Sequence, residues 1–366
     1  MFSDDLYVRT DRLYRVDIHI TDDRFLRPGD VLFVRSSVKE AGVGWPAIFK
    51  GHHEPVTNCG FLIRARQTSS RLEPKFVVHY LRQAHIRAQM ISRAGKVAIT
   101  NINQDRLGSL KIPMPSLAEQ QRIAAILDKS YELRAKRRKI LAQLDTLKQA
   151  IFYETFGDPT INPKGWPVRP LGSVAREKLN NGIFRKNPDY LQGGLGGLPV
   201  VWVEELFRGS SIDTRASRRV LPTRAEVSKY GLKYGDLLFC RSSLKLDGIA
   251  FNNVYLGPDG GALFECHLIR VQPDLKISSP IYLNTLLRLP QMRAVAKSRS
   301  KTATMTTIDQ TSLSSIPVML PPLTLQNDFA RRLDTIEKLK TKHLASLAQM
   351  EALFASLQHR AFRGEL

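Results

Sequence analysis

Cysteine is scarce in this sequence, with three among 366 residues. Cys59, Cys240 and Cys266 form no C-x-x-C pair, which argues against zinc ribbons and against a disulfide-stapled secreted scaffold. A reducing compartment, the cytoplasm, is expected. No apolar run approaches the roughly 18 residues of a membrane-spanning helix. The opening Met1-Phe2-Ser3-Asp4-Asp5 has early acids and no apolar stretch, so no signal peptide is expected. Acidic residues are also in short supply, 34 against 55 Lys and Arg, which leaves a net charge of +21. Such a field draws polyanions, and nucleic acid is favoured over acidic proteins.

Glycine patterns that cradle phosphates are missing. Gly193-Gly194-Leu195-Gly196-Gly197 lacks the Lys-Ser/Thr of a P-loop and the spacing of G-x-G-x-x-G. Asn187-Pro188-Asp189-Tyr190 comes near the Asn-Pro-Pro-Tyr motif of amino-methyltransferases, whose prolines shape a loop that presents the target amine. Here Asp189 replaces the second proline and no cofactor-binding strand and turn precede it, so a surface turn is expected. Asp274 and Lys276 lack the acid-x-Lys strand of a nuclease core. His52 and His53 lack further ligands, so no metal site is expected. No catalytic residue is assigned.

What is present is a repetition. Gly29-Asp30-Val31-Leu32-Phe33-Val34-Arg35-Ser36-Ser37 recurs as Gly235-Asp236-Leu237-Leu238-Phe239-Cys240-Arg241-Ser242-Ser243, 206 positions on. The same offset carries Leu62-Ile63-Arg64 onto Leu268-Ile269-Arg270, Gln120 onto Gln326, Leu127-Asp128 onto Leu333-Asp334, and Phe156 onto Phe362. Short periods mean solenoids. A period this long means a domain and its connector, duplicated, in a chain long enough for two cores. The second copy opens at Trp166, whose counterpart would fall about forty positions before Met1. Either the start is misplaced, or the chain is truncated, or its first domain is naturally shorter.

Each copy begins with a mixed, irregular part. Val31–Val34 and Leu237–Cys240 read as buried strands launched by Gly-Asp turns, with partner strands at Phe61–Arg64 and His267–Val271. Helical stretches follow near Phe76–Ile91 and Ile281–Ala296, with Pro74 and Pro280 just ahead of them. The second part of each copy, Leu117–Phe156 and Leu323–Phe362, contains no proline and no glycine. Ile140, Leu144, Leu147 and Ile151 are spaced four, three and four apart. Leu333 and Ile336, then Leu347, Met350, Phe354 and Leu357, make a similar seam, with Arg134 and Lys136–Lys139 supplying charge on other faces of the first helix. A helix of that length extends about 60 Å and cannot bury itself in a small domain. Two of them can bury their seams on each other. The expected division is 1–115, a helix over 116–157, 158–322, and a helix over 323–366.

The step from Pro115 into Leu117-Ala118-Glu119-Gln120-Gln121-Arg122-Ile123-Ala124-Ala125-Ile126-Leu127-Asp128, followed by a long basic helix, resembles type I restriction-modification specificity (S) subunits. Gly165-Trp166-Pro167-Val168-Arg169-Pro170-Leu171-Gly172-Ser173-Val174 is similar to the start of their target-recognition domains, and the Gly-Asp-Leu-Leu-Phe strand is a second shared element. The likeness covers essentially the whole chain. It implies an α/β fold of two target-recognition domains joined by two long antiparallel coiled-coil helices; the chain departs from that pattern in its first domain, which is expected to be N-terminally incomplete. It further implies a non-catalytic chain that reads a bipartite site in double-stranded DNA and docks two methyltransferase subunits and a motor-nuclease subunit. S-adenosylmethionine would then belong to the methylase, and ATP and Mg to the motor-nuclease. Pairing with another S fragment stays open. The alternative is a duplicated coiled-coil scaffold for acidic proteins or RNA.

Base edges are read by Arg, Asn and Gln, while phosphates take Lys, Arg, Ser and Thr. Candidates in the second copy are Arg215, Arg218, Arg219 and Arg224; Asn180, Asn181, Arg185 and Lys186; and Lys297, Arg299 and Lys301 in a Ser/Thr-rich loop. The matching segment of the first copy offers Arg93, Lys96, Asn101 and Asn103. Two halves that read different sequences should differ where they read. Arg35, Arg64, Arg241 and Arg270 are shared, which makes them framework or phosphate ligands.

Overall fold

The computed structural model describes residues 6–92, 100–191, 196–302 and 305–366. The chain divides into two compact units, Met1–Lys139 with Leu344–Leu366 and Ile140–His343. Each unit takes part of both long helices. Among the described residues no helix is long and apolar enough to cross a membrane.

In both units a short apolar strand is the middle of an antiparallel sheet. Val31–Val34 lies between Pro46–Ile48 and Leu62–Ala65, and Leu237–Cys240 between Asn252–Val254 and Leu268–Val271. The Gly-Asp turn ahead of each strand has a physical cause. Gly29 and Gly235 take left-handed backbone, φ 94° and 89°. The next carboxylate then closes the turn, Asp30 accepting the Arg27 N–H at 2.8 Å and Asp236 the Lys233 N–H at 2.9 Å. Asn180–Asn181 extends the second sheet along Leu268–Val271, and Val168–Pro170 pairs with Pro317–Met319.

Buried and half-buried arginines brace both units in the same way. Arg64 donates to the carbonyls of Asp23 and Phe25, and Arg270 to those of Lys229 and Gly231, their counterparts at the same offset. Arg87 donates to Ala41 and Val43 carbonyls at 2.8 and 2.6 Å, and Arg293 to those of Asp247 and Ile249 at 2.8 and 2.6 Å. Each guanidinium also lies over a ring, Arg87 by Trp45 and Arg293 by Phe251. Burial pulls Arg87 down to about 10 and lowers Arg293 as well.

The helical stretches expected as single runs are each two helices, Pro74–Leu81 with Ala84–Ser92 and Pro280–Arg288 with Pro290–Ser298. Pro290 forces the second break, because it forbids helical backbone at Leu289. Pro74 and Pro280 sit at helix starts, where a missing N–H costs nothing.

The long helices are Leu117–Phe156 and Leu323–Ala361. Within each unit they pair antiparallel. In the first unit Ile123, Ala124 and Leu127 cluster with Phe354, Leu357, Ala361 and Phe362, and Arg138 meets Glu351 at 2.8 Å. The Arg134 guanidinium stands 3.6 Å over the Phe354 ring. In the second unit Phe152 and Phe156 pack on Phe329, Lys340 bridges Asp145 at 2.6 Å, and Lys148 bridges Glu337. The seam differs from the expected one. Leu144 is buried and Ile140 and Ile151 are half-buried, but Leu147 is 43% exposed. Leu141, Lys148 and the fully buried Phe152 take the intervening places. A straight helix advances 3.6 residues per turn, so a strict 3.5-residue count drifts off the contact line. On the partner helix Leu333 and Ile336 are buried, while Leu347, Met350, Phe354 and Leu357 are half-buried.

Candidate nucleic-acid interface

In the second unit the end of the central strand leads into a small sheet of Ser242–Ser243, Thr306–Thr307 and Lys301–Thr302. Arg241 sits at the turning point. Its N–H donates to the His267 carbonyl at 2.8 Å and its carbonyl accepts the Ile308 N–H at 2.9 Å. The backbone is pinned from both sides while the side chain stays exposed. Arg35 repeats the arrangement, between the Phe61 carbonyl and the Ile102 N–H, at 2.8 and 2.9 Å.

The Arg241 side chain lines a notch of 120 Å³ with Arg299, Lys301, Thr307, Asp309 and Ser312. Asp309 is occupied as the cap of helix Gln310–Ser314, and hydrogen bonds from Ser312 hold its carboxyl below the usual range. The remaining groups are cations and a hydroxyl, a donor set that fits phosphate oxygens.

A larger cleft of 640 Å³ is lined by Ser242 and Ser243, which follow Arg241 in the chain. Trp202, Val203, Phe207, Leu244 and Met305 give it an apolar lining, to which Glu265 and His267 add polar groups. Phe207 is stacked on Phe251 at 4.4 Å, and Leu244 is 83% exposed. Arg218 stands 4.5 Å over the Trp202 ring. An apolar cleft with a few fixed polar groups beside a basic notch can hold a base edge next to its phosphate.

The structure sorts the sequence candidates. Arg215 is tied to Asp213 at 2.6 Å, which pulls that carboxyl down to about 2. Arg219 holds the carbonyls of Gly196 and Gly197 at 2.6 and 2.7 Å. Arg185 pairs with Glu226 at 2.6 Å, and Lys297 with Asp247. Asn180 accepts from Arg270, and Asn181 bridges the Cys266 carbonyl and Gln310. Asn103 caps helix Gln104–Gly108 by accepting the Arg106 N–H at 2.9 Å, and Asn101 is bonded to Ser36. In the structure these side chains are engaged in holding loops. Arg299 is partly engaged, with Ser315 and the Val295 carbonyl, yet still lines the notch. Arg218, Arg224, Lys186 and Lys301 are exposed and carry no ion pair among the described residues. Arg93 and Lys96 lie outside the described residues. Sequence reasoning missed Trp202, Glu265 and His267, none of which belongs to a charge cluster.

Asn187–Asp189 is a single 3-10 turn, closed by Asp189 accepting the Lys186 N–H at 3.0 Å. Glu265, Cys266 and His267 bring a carboxylate, a thiol and an imidazole within 4.8 Å of one another. Burial and the neighbouring Glu265 push the Cys266 thiol up, the reverse of what a thiolate ligand needs.

The type I restriction modification DNA specificity domain matches residues 28–146 and again 163–349, so the duplication is matched copy by copy. The chain belongs to this family. It is similar over 95% of its length to the StySPI specificity subunit of Salmonella potsdam, at 25% identity and across 77% of that protein. It is similar to the EcoKI specificity subunit of Escherichia coli K12 at 26% identity, over the same 95% and 77%. Two solved structures share the fold. One, from work on complex assembly and conformational transition of the type I R-M system, has a TM-score of 0.55 at 20% identity and covers 93% of this chain and 83% of its own. The other, a type I S subunit from M. genitalium, has a TM-score of 0.57 at 12% identity and covers 93% and 84%. The S-subunit fold expected from the sequence is thus the observed one: mixed helix and strand, two duplicated recognition parts, two long helices.

Proposed function

We propose that this S subunit reads a bipartite site in double-stranded DNA, one half with each recognition part, and has no catalytic role of its own. It would dock two methyltransferase subunits, which carry S-adenosylmethionine, and a motor-nuclease subunit, which uses ATP and Mg. The observation that carries this reading is the duplicated frame. The bracing arginines and pinned Arg35 and Arg241 are identical in the two copies, while exposed groups near them differ, Phe61 against His267 and Val38 against Leu244. A scaffold for acidic proteins has no need of one frame carrying two different surfaces. The net charge of +21 supports a polyanionic partner. A salt titration on duplex DNA tests the reading. A specific reader keeps a large preference for one sequence as salt weakens its phosphate contacts. A scaffold shows no preference at any salt concentration.

A further inference from the structure

The duplication serves as an internal control for which residues build the frame and which read. Ser242, Ser243, Lys245 and Gly248 near the cleft are the same residues as Ser36, Ser37, Lys39 and Gly42. They also do the same work, since Ser243 and Ser37 each donate to the lysine carbonyl at 2.7 Å. A Cβ on Gly248 or Gly42 would come within 2.3 or 2.5 Å of that serine Oγ, so both positions need glycine. This is framework.

Position 61/267 behaves otherwise. The residue whose carbonyl accepts the Arg241 N–H is His267, and the residue whose carbonyl accepts the Arg35 N–H is Phe61. The backbone place is the same, beside the same shared arginine. Both side chains are open to solvent, His267 at 58% and Phe61 at 69%. Their chemistry is opposite: one hydrogen-bonds and the other cannot.

The imidazole is also held. Glu265, 3% exposed, accepts the His267 backbone N–H at 2.9 Å and faces His267 Nδ1 at 2.8 Å with the same oxygen. A carboxylate there accepts, so Nδ1 carries the proton and a neutral ring presents Nε2 as an acceptor. Nε2 has no hydrogen-bond partner among the described residues. The other Glu265 oxygen is buried without a partner, so this carboxylate is held in place at some cost. In the first copy position 59 is Cys59, and no such holder exists for Phe61.

We infer that position 61/267 is a specificity-determining position in each half of the subunit. His267 accepts a hydrogen bond from the exocyclic amino group of a cytosine or adenine at its half-site. Phe61 makes an apolar contact with a thymine methyl at the other. Glu265 is a positioning residue that orients the imidazole, and the neighbouring Arg35 and Arg241 supply phosphate contacts that are blind to sequence. The inference rests on the DNA-reading function proposed above.

The test is selection from a randomised duplex library with the full-length chain, comparing wild type with His267→Phe, Phe61→His and Glu265→Ala. Wild type is expected to prefer an amino-bearing base at one position of one half-site, and the profile tells cytosine from adenine. His267→Phe should move that position toward thymine by about tenfold, leaving the other half-site unchanged. Phe61→His should do the converse. Both substitutions are at exposed places and leave the frame intact. Glu265→Ala should relax the His267 position alone, whereas a merely structural loss would weaken every position together. A wild type with a split preference and variants that select the same bases with the same preference overturns the inference. A wild type with no sequence preference overturns the DNA-reading function itself.

Discussion

Gln120 and Gln326, 206 positions apart in the chain and both fully buried, make the same three hydrogen bonds. Gln120 accepts the Glu73 N–H and donates to the carbonyls of Arg71 and Pro115, at 3.0, 2.9 and 2.9 Å. Gln326 accepts the Ser279 N–H and donates to the carbonyls of Ile277 and Pro321, at 2.9, 3.3 and 2.8 Å. Glu73 and Ser279 are the residues just ahead of helices Pro74–Leu81 and Pro280–Arg288. Each glutamine thus ties the first turn of a long helix to the start of a helix in the recognition part.

Losing that tie leaves a buried N–H and two buried carbonyls without their partner. Gln120→Ala and Gln326→Ala should each cost roughly 2–4 kcal/mol. Glutamate should cost at least as much, because a carboxylate would face two carbonyl oxygens. Denaturant unfolding followed by hydrogen exchange checks this, with Gln120 loosening the first unit and Gln326 the second. A glutamate variant as stable as wild type would refute the hydrogen-bond assignment.

The two Gly-Asp turns differ in one partner. Asp30 is gripped by Arg66 at 2.9 and 2.7 Å, whereas the matching position in the second copy is Gln272. Burial pushes the Asp236 carboxyl up to about 6, against the pull of the Lys233 N–H and of Arg270 at 3.6 Å. A folded-state value above the unfolded one means the native protein binds the proton more tightly. Stability from this group is then present below about pH 4 and lost as pH rises through about 6. The effect is on the order of 3 kcal/mol at most. Asp236→Asn should remove this slope between pH 4 and 6, and unfolding curves across that window would show whether it does.

The candidate cations should separate by role. Lys301→Ala and Arg241→Ala should weaken binding to all duplexes alike and shallow the salt dependence by about one charge each. Arg219→Ala frees the loop at Gly196 and Gly197 and should lower stability more than it changes the salt slope. Equal salt slopes for Lys301→Ala and wild type would remove the notch from the interface.

Much of the frame is legible in the residues. The Gly-Asp turns announce Val31–Val34 and Leu237–Cys240 because left-handed glycine and a self-closing aspartate act locally. The long helices are legible for the same reason, from an unbroken run without proline or glycine. The candidate interface is less so. Arg219, Asn181 and Asn103 look like DNA ligands in the sequence, but their partners come from elsewhere in the chain or from a cap that composition does not reveal. Arg87 and Arg293 are buried because they satisfy carbonyls brought near only by folding, which no local pattern announces. The signal for His267 was available: position 61/267 differs immediately ahead of the shared Leu-Ile-Arg, beside a shared arginine.

If the paired helices set the distance between half-sites, removing one heptad from both should shorten each by about 10 Å. The spacer in the DNA site should then contract by roughly 3 bp. An unchanged spacer would mean the helices do not measure it.

The central claim is that two recognition parts read two half-sites. It is tested most directly by mapping modified bases in DNA from cells that express this chain with the methyltransferase proposed to dock on it. The account predicts a split motif with two different defined halves around a fixed spacer. A single half-motif, a palindrome, or no sequence-dependent methylation would contradict it.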